Sequence, residues 1–359
     1  MAWLILFVPL AAVVAKLAPD QPLLVFFTAA LAIVPLVEWI ARATEDLARR
    51  TNDQLGGLLN ATFGNAAELI IGLSALRVGL DEVVKASLVG SIVGNNLLCL
   101  GTAMLVGGLR CPNQRFNAEG ARIEASMLAL AVIAMVLPAA YRLLPGDGEP
   151  PHLAELSVGI AIVLLVVYSL NLLFTLKTHP NLFLVARPKA AGEPECDRPR
   201  AQWSKGHAAM ILALATAGAV WMSEILVSVV EPAAQRMGMS TGFISLFLVG
   251  ILGNIAEQAT AIRAALAGRM DLAFSIAMGS SVQISLVVIP TVVLMSWLIS
   301  PTPMDLAFSP KLVLTLFLTV YITSQVANDG HSYWLKGAQL LAVYLILGFT
   351  LYFVPGMTR

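Results

Sequence analysis

Two short segments put carboxylates where the chain is otherwise apolar. Gly64, Asn65 and Glu68 lie in TFGNAAELIIGL, and Gly253, Asn254 and Glu257 lie in LGNIAEQATAI. On a helix, residues three or four apart share a face, so Asn65 is expected to point with Glu68 and Asn254 with Glu257. Glycine one position back lets another backbone approach and weakens the helix, which exposes carbonyl oxygens to a cavity. A carboxylate at membrane depth is costly unless it is protonated, paired or bound to a cation. No Lys or Arg occupies the neighbouring part of either segment, which leaves protons or a metal ion.

Two carboxylates facing one cavity, with amide, hydroxyl and backbone oxygens around them, make a site without thiolate or imidazole. Hard cations prefer this set, and Ca²⁺ takes about 6 to 8 oxygens with tolerance for irregular geometry. Ser91 of GSIVGNN, with Ser280 and Gln283 of GSSVQIS, supplies further donors. When such a site empties, two close carboxylates in a poor dielectric take up protons. Competition for one pair of charges is itself a mechanism for cation/proton exchange.

The elements that must hold these residues are membrane helices. With 58% apolar and 12% charged residues in 359 and a mean hydropathy of +0.81, the composition excludes an ordinary soluble fold. A net charge of zero leaves no basic field to recruit nucleic acid. Apolar runs long enough to cross a bilayer are expected at 4–18, 23–43, 54–79, 83–108, 122–141, 154–177, 207–230, 241–267, 271–299, 310–328 and 333–354, eleven in all. The first is short enough for a signal-peptide core, but no positive residue precedes it and KLAPDQP is a poor cleavage site. With the N-terminus inside, 15 Lys and Arg fall on inner loops and flanks and 7 outside. The N-terminus is therefore expected in the cytoplasm and the C-terminus outside. Cys99, Cys111 and Cys196 are spaced neither as a disulfide framework nor as a zinc site.

The long polar segment 177–207 divides the chain nearly in half. An offset of 189 sets Gly64, Asn65, Ala67 and Glu68 on Gly253, Asn254, Ala256 and Glu257, and Gly90 and Ser91 on Gly279 and Ser280. An offset of 186 sets Glu38 on Glu224 and Glu45 on Glu231. The expected organisation is an N-terminal helix (1–20), a first five-helix repeat (21–177), a cytoplasmic linker (178–206) and a second five-helix repeat (207–359). An odd number of spans per repeat inverts the second copy, a transporter architecture with its site at the repeat interface.

GGLLNATFGNAAELI followed by GSIVGNNLLCLG, then GNIAEQATA followed by GSSVQI, resembles the two signature regions of the CAX-type calcium/proton antiporters of the cation/Ca²⁺ exchanger superfamily. The resemblance implies eleven helices, one preceding two inverted five-helix repeats. It also implies a Ca²⁺ site on Glu68 and Glu257, aided by Asn65, Asn254, Ser280, Gln283 and carbonyls near Gly64 and Gly253. Ca²⁺ and H⁺ are then transported ions, with no resident cofactor. Two positions depart from the pattern: Gln258 stands where the family usually has histidine, and Gly94 where it often has serine.

Glu38 and Glu224 are weighed equally as structural hydrogen-bonding residues and as proton-path groups; Glu45 and Glu231, near span ends, read as interfacial. His152, His179, His207 and His331 lie in loops or at span ends and are not spaced as a metal pair. An intramembrane enzyme would need a nucleophile with a base or a motif such as HExxH, and the spans contain neither. A channel would need a continuous polar lining, whereas two acidic clusters between inverted repeats fit alternating access. Among transporters the runner-up is a Na⁺-coupled Ca²⁺ exchanger, whose members tend to carry an acidic residue where this chain has Gln283. The expected setting is a bacterial plasma (inner) membrane.

Overall fold

Leucine, valine, alanine and isoleucine recur on every face of the long segments. In apolar surroundings a helix satisfies all of its own interior backbone groups. The computed structural model describes residues 2–48, 63–143, 152–179 and 203–353 and is helical almost throughout. In order, the helices are α1 (Phe7–Leu17, entered through a 3₁₀ turn), α2 (Pro22–Ala48), α3 (Ala66–Arg77), α4 (Asp81–Arg110), α5 (Ala118–Arg142), α6 (Leu153–Thr178), α7 (Lys205–Met237), α8 (Thr241–Leu252), α9 (Ile255–Leu266), α10 (Met270–Ile299), α11 (Pro310–Ala327) and α12 (Trp334–Phe353). Among the described residues eight helices are long and apolar enough to cross a membrane, and α8 with α9 makes a ninth if that bent pair is one span. The chain is a multi-pass, all-helical membrane protein. Residues 54–62 of the expected third span, most of the linker and Cys196 lie outside the described residues.

Most helix ends fall within a few residues of the expected boundaries. The exceptions are the expected span 241–267, which is broken between Leu252 and Ile255, α2, expected to stop at 43, which runs to Ala48, and α7, expected to stop at 230, which runs through Pro232 to Met237. Proline inside a membrane helix removes one N–H but does not end it when neighbours cover the gap. Gly238 does end it: its φ of +66° suits a residue without Cβ, and the Met239 N–H returns to Ala234 at 3.0 Å.

α4 is the most enclosed helix, packed against α8, α9, α10 and α12. Val89, Ile92, Val93, Leu97 and Leu100 along it are fully buried. α2 runs along α7, and α5 along α11. Leu214, Trp221, Leu298, Phe349 and Phe353 face outward as the apolar perimeter. At one end a two-residue ribbon pairs β1 (Gln114–Arg115) with β2 (His331–Ser332). Beside it, slight burial pushes the Asp329 carboxyl up, but the Lys336 ammonium at 2.5 Å and the His331 N–H at 3.0 Å outweigh this and hold it below the usual carboxylate range.

α4 crosses α8 with backbones touching. A Cβ on Gly250 would stand 2.7 Å from the Gly90 carbonyl carbon and 2.8 Å from the Ser87 oxygen, and one on Gly90 would collide with the Leu246 carbonyl. Backbone cannot swing aside as a side chain can, so Gly250→Ala is expected to destabilise the protein by about 3 kcal/mol, the upper end for overpacking. Thermal unfolding in detergent measures this; an unchanged midpoint would contradict the close crossing.

Candidate cation site

The two Gly-Asn steps interrupt helices instead of riding on them. α8 stops at Leu252 and α9 starts at Ile255 with a 59° bend between them. Gly64 and Asn65 likewise form a turn before α3. Asparagine competes with helical hydrogen bonding through its own amide, and glycine before it adds no restraint. Asn65 and Asn254 occupy the N-cap positions of α3 and α9 without a side-chain capping bond, and Glu68 and Glu257 sit in the first turns. There the unsatisfied backbone N–H groups and the helix dipole favour negative charge.

Freed from capping, the asparagines bond across the molecule. Asn65 Nδ2 donates to Gln283 Oε1 at 2.7 Å, and Ser280 Oγ donates to Asn65 Oδ1 at 2.9 Å. Asn95, in a π-helical turn of α4 at Gly94–Cys99, donates to Asn254 Oδ1 and to Ser280 Oγ, both at 3.0 Å. Asn254 Nδ2 donates to the Gly250 carbonyl at 3.1 Å, and Ser91 Oγ reaches the same oxygen at 2.8 Å. One buried network thus joins α3, α4, α8, α9 and α10.

The carboxylates sit at its edge. Glu68 is 5% exposed and packs against Gly253, where a Cβ would stand 2.5 Å from its Oε1. A small cavity of about 10 Å³ opens onto Glu68, Ser87, Ser91, Val249 and Gly253. Glu257 does not line it, but lies close enough to Glu68 for their charges to interact. Glu68 Oε1, Glu257 Oε2 and Asn95 Oδ1 are buried acceptors with no hydrogen-bond partner. Among the described residues no three His, Cys, Asp or Glu gather as a metal cluster, so a cation would take amide and hydroxyl oxygens beside the two carboxylates.

The structure therefore brings together Glu68, Glu257, Asn65, Asn254, Ser91, Ser280, Gln283 and Gly253, with Gly64 at the start of the turn carrying Asn65. It sets the other two acidic residues apart. Glu38 pairs with Arg42 one turn along α2, and Glu224 accepts from Arg77 Nη1 at 3.1 Å. Asn95, which joins the network, and its buried neighbour Asn96 are not among the residues expected from the sequence. Asn96 bonds Ser281 at 2.9 Å and its Oδ1 is unpartnered. Two consecutive amides in an apolar run were a signal, but the 189 offset sets them on Ile284 and Ser285 and so hid the first. Gln258 and Gly94, the two departures from the resembled pattern, face each other, with Gln258 Nε2 3.9 Å from where a Gly94 Cβ would stand.

The sodium/calcium exchanger protein family matches residues 21–177 and 207–353. A Ca²⁺/H⁺ antiporter of Aphanothece halophytica is 40% identical over 359 residues, covering 98% of this chain and 96% of that protein. The Ca²⁺/H⁺ antiporter ChaA of Bacillus subtilis strain 168 is 39% identical over 341 residues, covering 95% of each. The solved structure of native YfkE superposes with a TM-score of 0.81 at 35% identity over 97% of both chains. Two matched segments spanning most of the chain, relatives of this identity along nearly their whole length, and a shared fold place the chain in the sodium/calcium exchanger protein family.

Proposed function

We propose that the chain exchanges Ca²⁺ for protons by alternating access, with Glu68 and Glu257 holding the cation or protons in turn. The observation that carries this is the set of buried acceptors without partners, Glu68 Oε1, Glu257 Oε2 and Asn95 Oδ1, joined through one amide and hydroxyl network. Buried acceptors are costly unless something donates to them or coordinates them, and a hard divalent cation or protons meet that need. Asn65, Asn254, Ser91, Ser280, Gln283 and the carbonyls near Gly64 and Gly253 complete the oxygen set. The antiporter names of the relatives agree with this assignment.

In this reading eleven helices cross the membrane, the first preceding two inverted five-helix repeats at 21–177 and 207–359 with a cytoplasmic linker at 178–206. The two segments matched by the family support the division. The membrane is a bacterial plasma membrane, with the N-terminus inside and the C-terminus outside. Glu38 and Glu224, each paired with arginine, are the proton-path candidates away from the cation. The deciding experiment is ion flux in inside-out vesicles with an imposed proton gradient. Ca²⁺ uptake driven by the gradient without Na⁺ is expected, and uptake that requires Na⁺ would replace protons with Na⁺ as the counter-ion.

Gln283 is where that alternative is tested most directly. It is neutral and accepts from Asn65. Gln283→Asp adds a third negative charge to the network, and the expected outcome is weaker proton coupling or a new Na⁺ dependence of Ca²⁺ flux. Unchanged dependence on both ions would remove Gln283 from ion selection.

A further inference from the structure

Lys85 lies in the second turn of α4, 4% exposed, at the end of the bundle assigned above to the outside. Its Nζ donates to Asp305 Oδ1 at 2.8 Å and to the Ala307 carbonyl at 3.2 Å, and stands 5.9 Å from the centre of the Phe308 ring. Asp305 belongs to the segment between α10 and α11, where Met304, Leu306, Ala307 and Phe308 are all buried. The same Asp305 Oδ1 accepts from the Ala307 N–H at 2.8 Å, and Arg142 approaches Oδ2 at 3.8 Å. A buried ammonium held by a carboxylate and a carbonyl is a directional anchor. It fixes where α4 lies along its own axis.

The offset that relates the two halves carries a comparison. Counted by 189, Lys85 falls on Phe274 and Asp305 on Phe116. Those two rings stack on each other, 4.5 Å between centroids and 9° from parallel. Both site helices are therefore clamped near their starts by the segment that follows the other half's equivalent helix. α10 is held by an apolar stack, which tolerates sliding, and α4 by charge and hydrogen bonds, which do not.

We propose that Lys85 and Asp305 are positioning residues for the cation site, setting the axial register of α4. Ser91 and Asn95 lie six and ten residues beyond Lys85, roughly 9 and 15 Å at 1.5 Å per residue. Their bonds to Gly250, Asn254 and Ser280 are made in this register. Breaking a buried pair leaves one charge unpaired, whereas replacing both partners by apolar residues of similar volume commonly preserves folding. The double substitution Lys85→Met with Asp305→Leu thus separates packing from anchoring.

This inference rests on the site proposed above, so the test carries Glu68→Gln in parallel. Purified variants in vesicles are compared for half-saturating Ca²⁺, maximal rate and thermal unfolding. The double variant is expected to unfold near the wild-type temperature and keep its maximal rate within about twofold, with half-saturating Ca²⁺ raised about tenfold, as for residues that orient metal ligands. If it is unstable, Asp305→Glu decides: it keeps both charges, alters only their spacing, and is expected to raise half-saturating Ca²⁺. Wild-type half-saturation in the folded variant overturns the positioning role. Lost transport by Glu68→Gln beside that result leaves the site standing, whereas full transport by Glu68→Gln removes the site itself.

Discussion

Glu68→Gln and Glu257→Gln are each expected to abolish Ca²⁺/H⁺ exchange, by about a hundredfold or more, in a protein that still folds. Glutamine keeps the volume and the hydrogen bonding of glutamate but not its charge, so no cavity opens. Divalent-cation affinity is set largely by the count and charge of oxygen ligands, and among the described residues no three His, Cys, Asp or Glu gather as a metal cluster that could compensate. Ser280 keeps its bonds to Asn65 and from Asn95 in Glu257→Gln, which protects the network from collapse. Ca²⁺ uptake into proton-loaded vesicles, read beside the thermal unfolding midpoint, checks both parts. Full transport by either variant would remove that carboxylate from the site.

Gly253→Ala is the second substitution with a large expected effect, and it acts without touching a charge. Gly253 has φ −61° and ψ −33°, a conformation open to any residue, so alanine adds no backbone strain. Its methyl group, however, would lie 2.5 Å from Glu68 Oε1 and 2.9 Å from Glu68 Cδ. The carboxylate must move, while the backbone stays. A displacement of about 1 Å at a ligand is enough to cost one to two orders of magnitude, so half-saturating Ca²⁺ is expected to rise at least about tenfold with the unfolding midpoint little changed. A drop in stability with unaltered Ca²⁺ dependence would show instead that Gly253 is needed only for packing.

The helices were legible because membrane spans announce themselves by length and by apolar residues on all faces. Glu68 and Glu257 were legible for the opposite reason, as charges without local partners. The breaks at Gly64–Asn65 and Gly253–Asn254 were not, since what straightens or bends a Gly-Asn step is the partner its amide finds, and Gln283, Ser280 and Asn95 are distant in sequence. Lys85 is one of the seven cations that the charge pattern puts on the outer side, yet it is buried because Asp305, 220 residues later, receives it. Asn95 was missed for a related reason: a search for likeness between halves passes over the positions where they differ.

The dependence of α4 on the second half of the chain has a consequence for biogenesis. Lys85 waits for Asp305, Ser91 for the Gly250 carbonyl, Asn95 for Asn254 and Ser280, and Asn96 for Ser281. At about 5 to 20 residues per second, a ribosome needs roughly 10 to 40 seconds to span the interval between Lys85 and Asp305. Throughout that time a newborn helix with an ammonium and two amides has no final partner, and lipid cannot supply one. The insertion machinery must shelter it, or the helix must lie short of its final depth. Ribosome-bound chains truncated before residue 250 should therefore stay crosslinkable to the translocon through α4 longer than chains carried past residue 305.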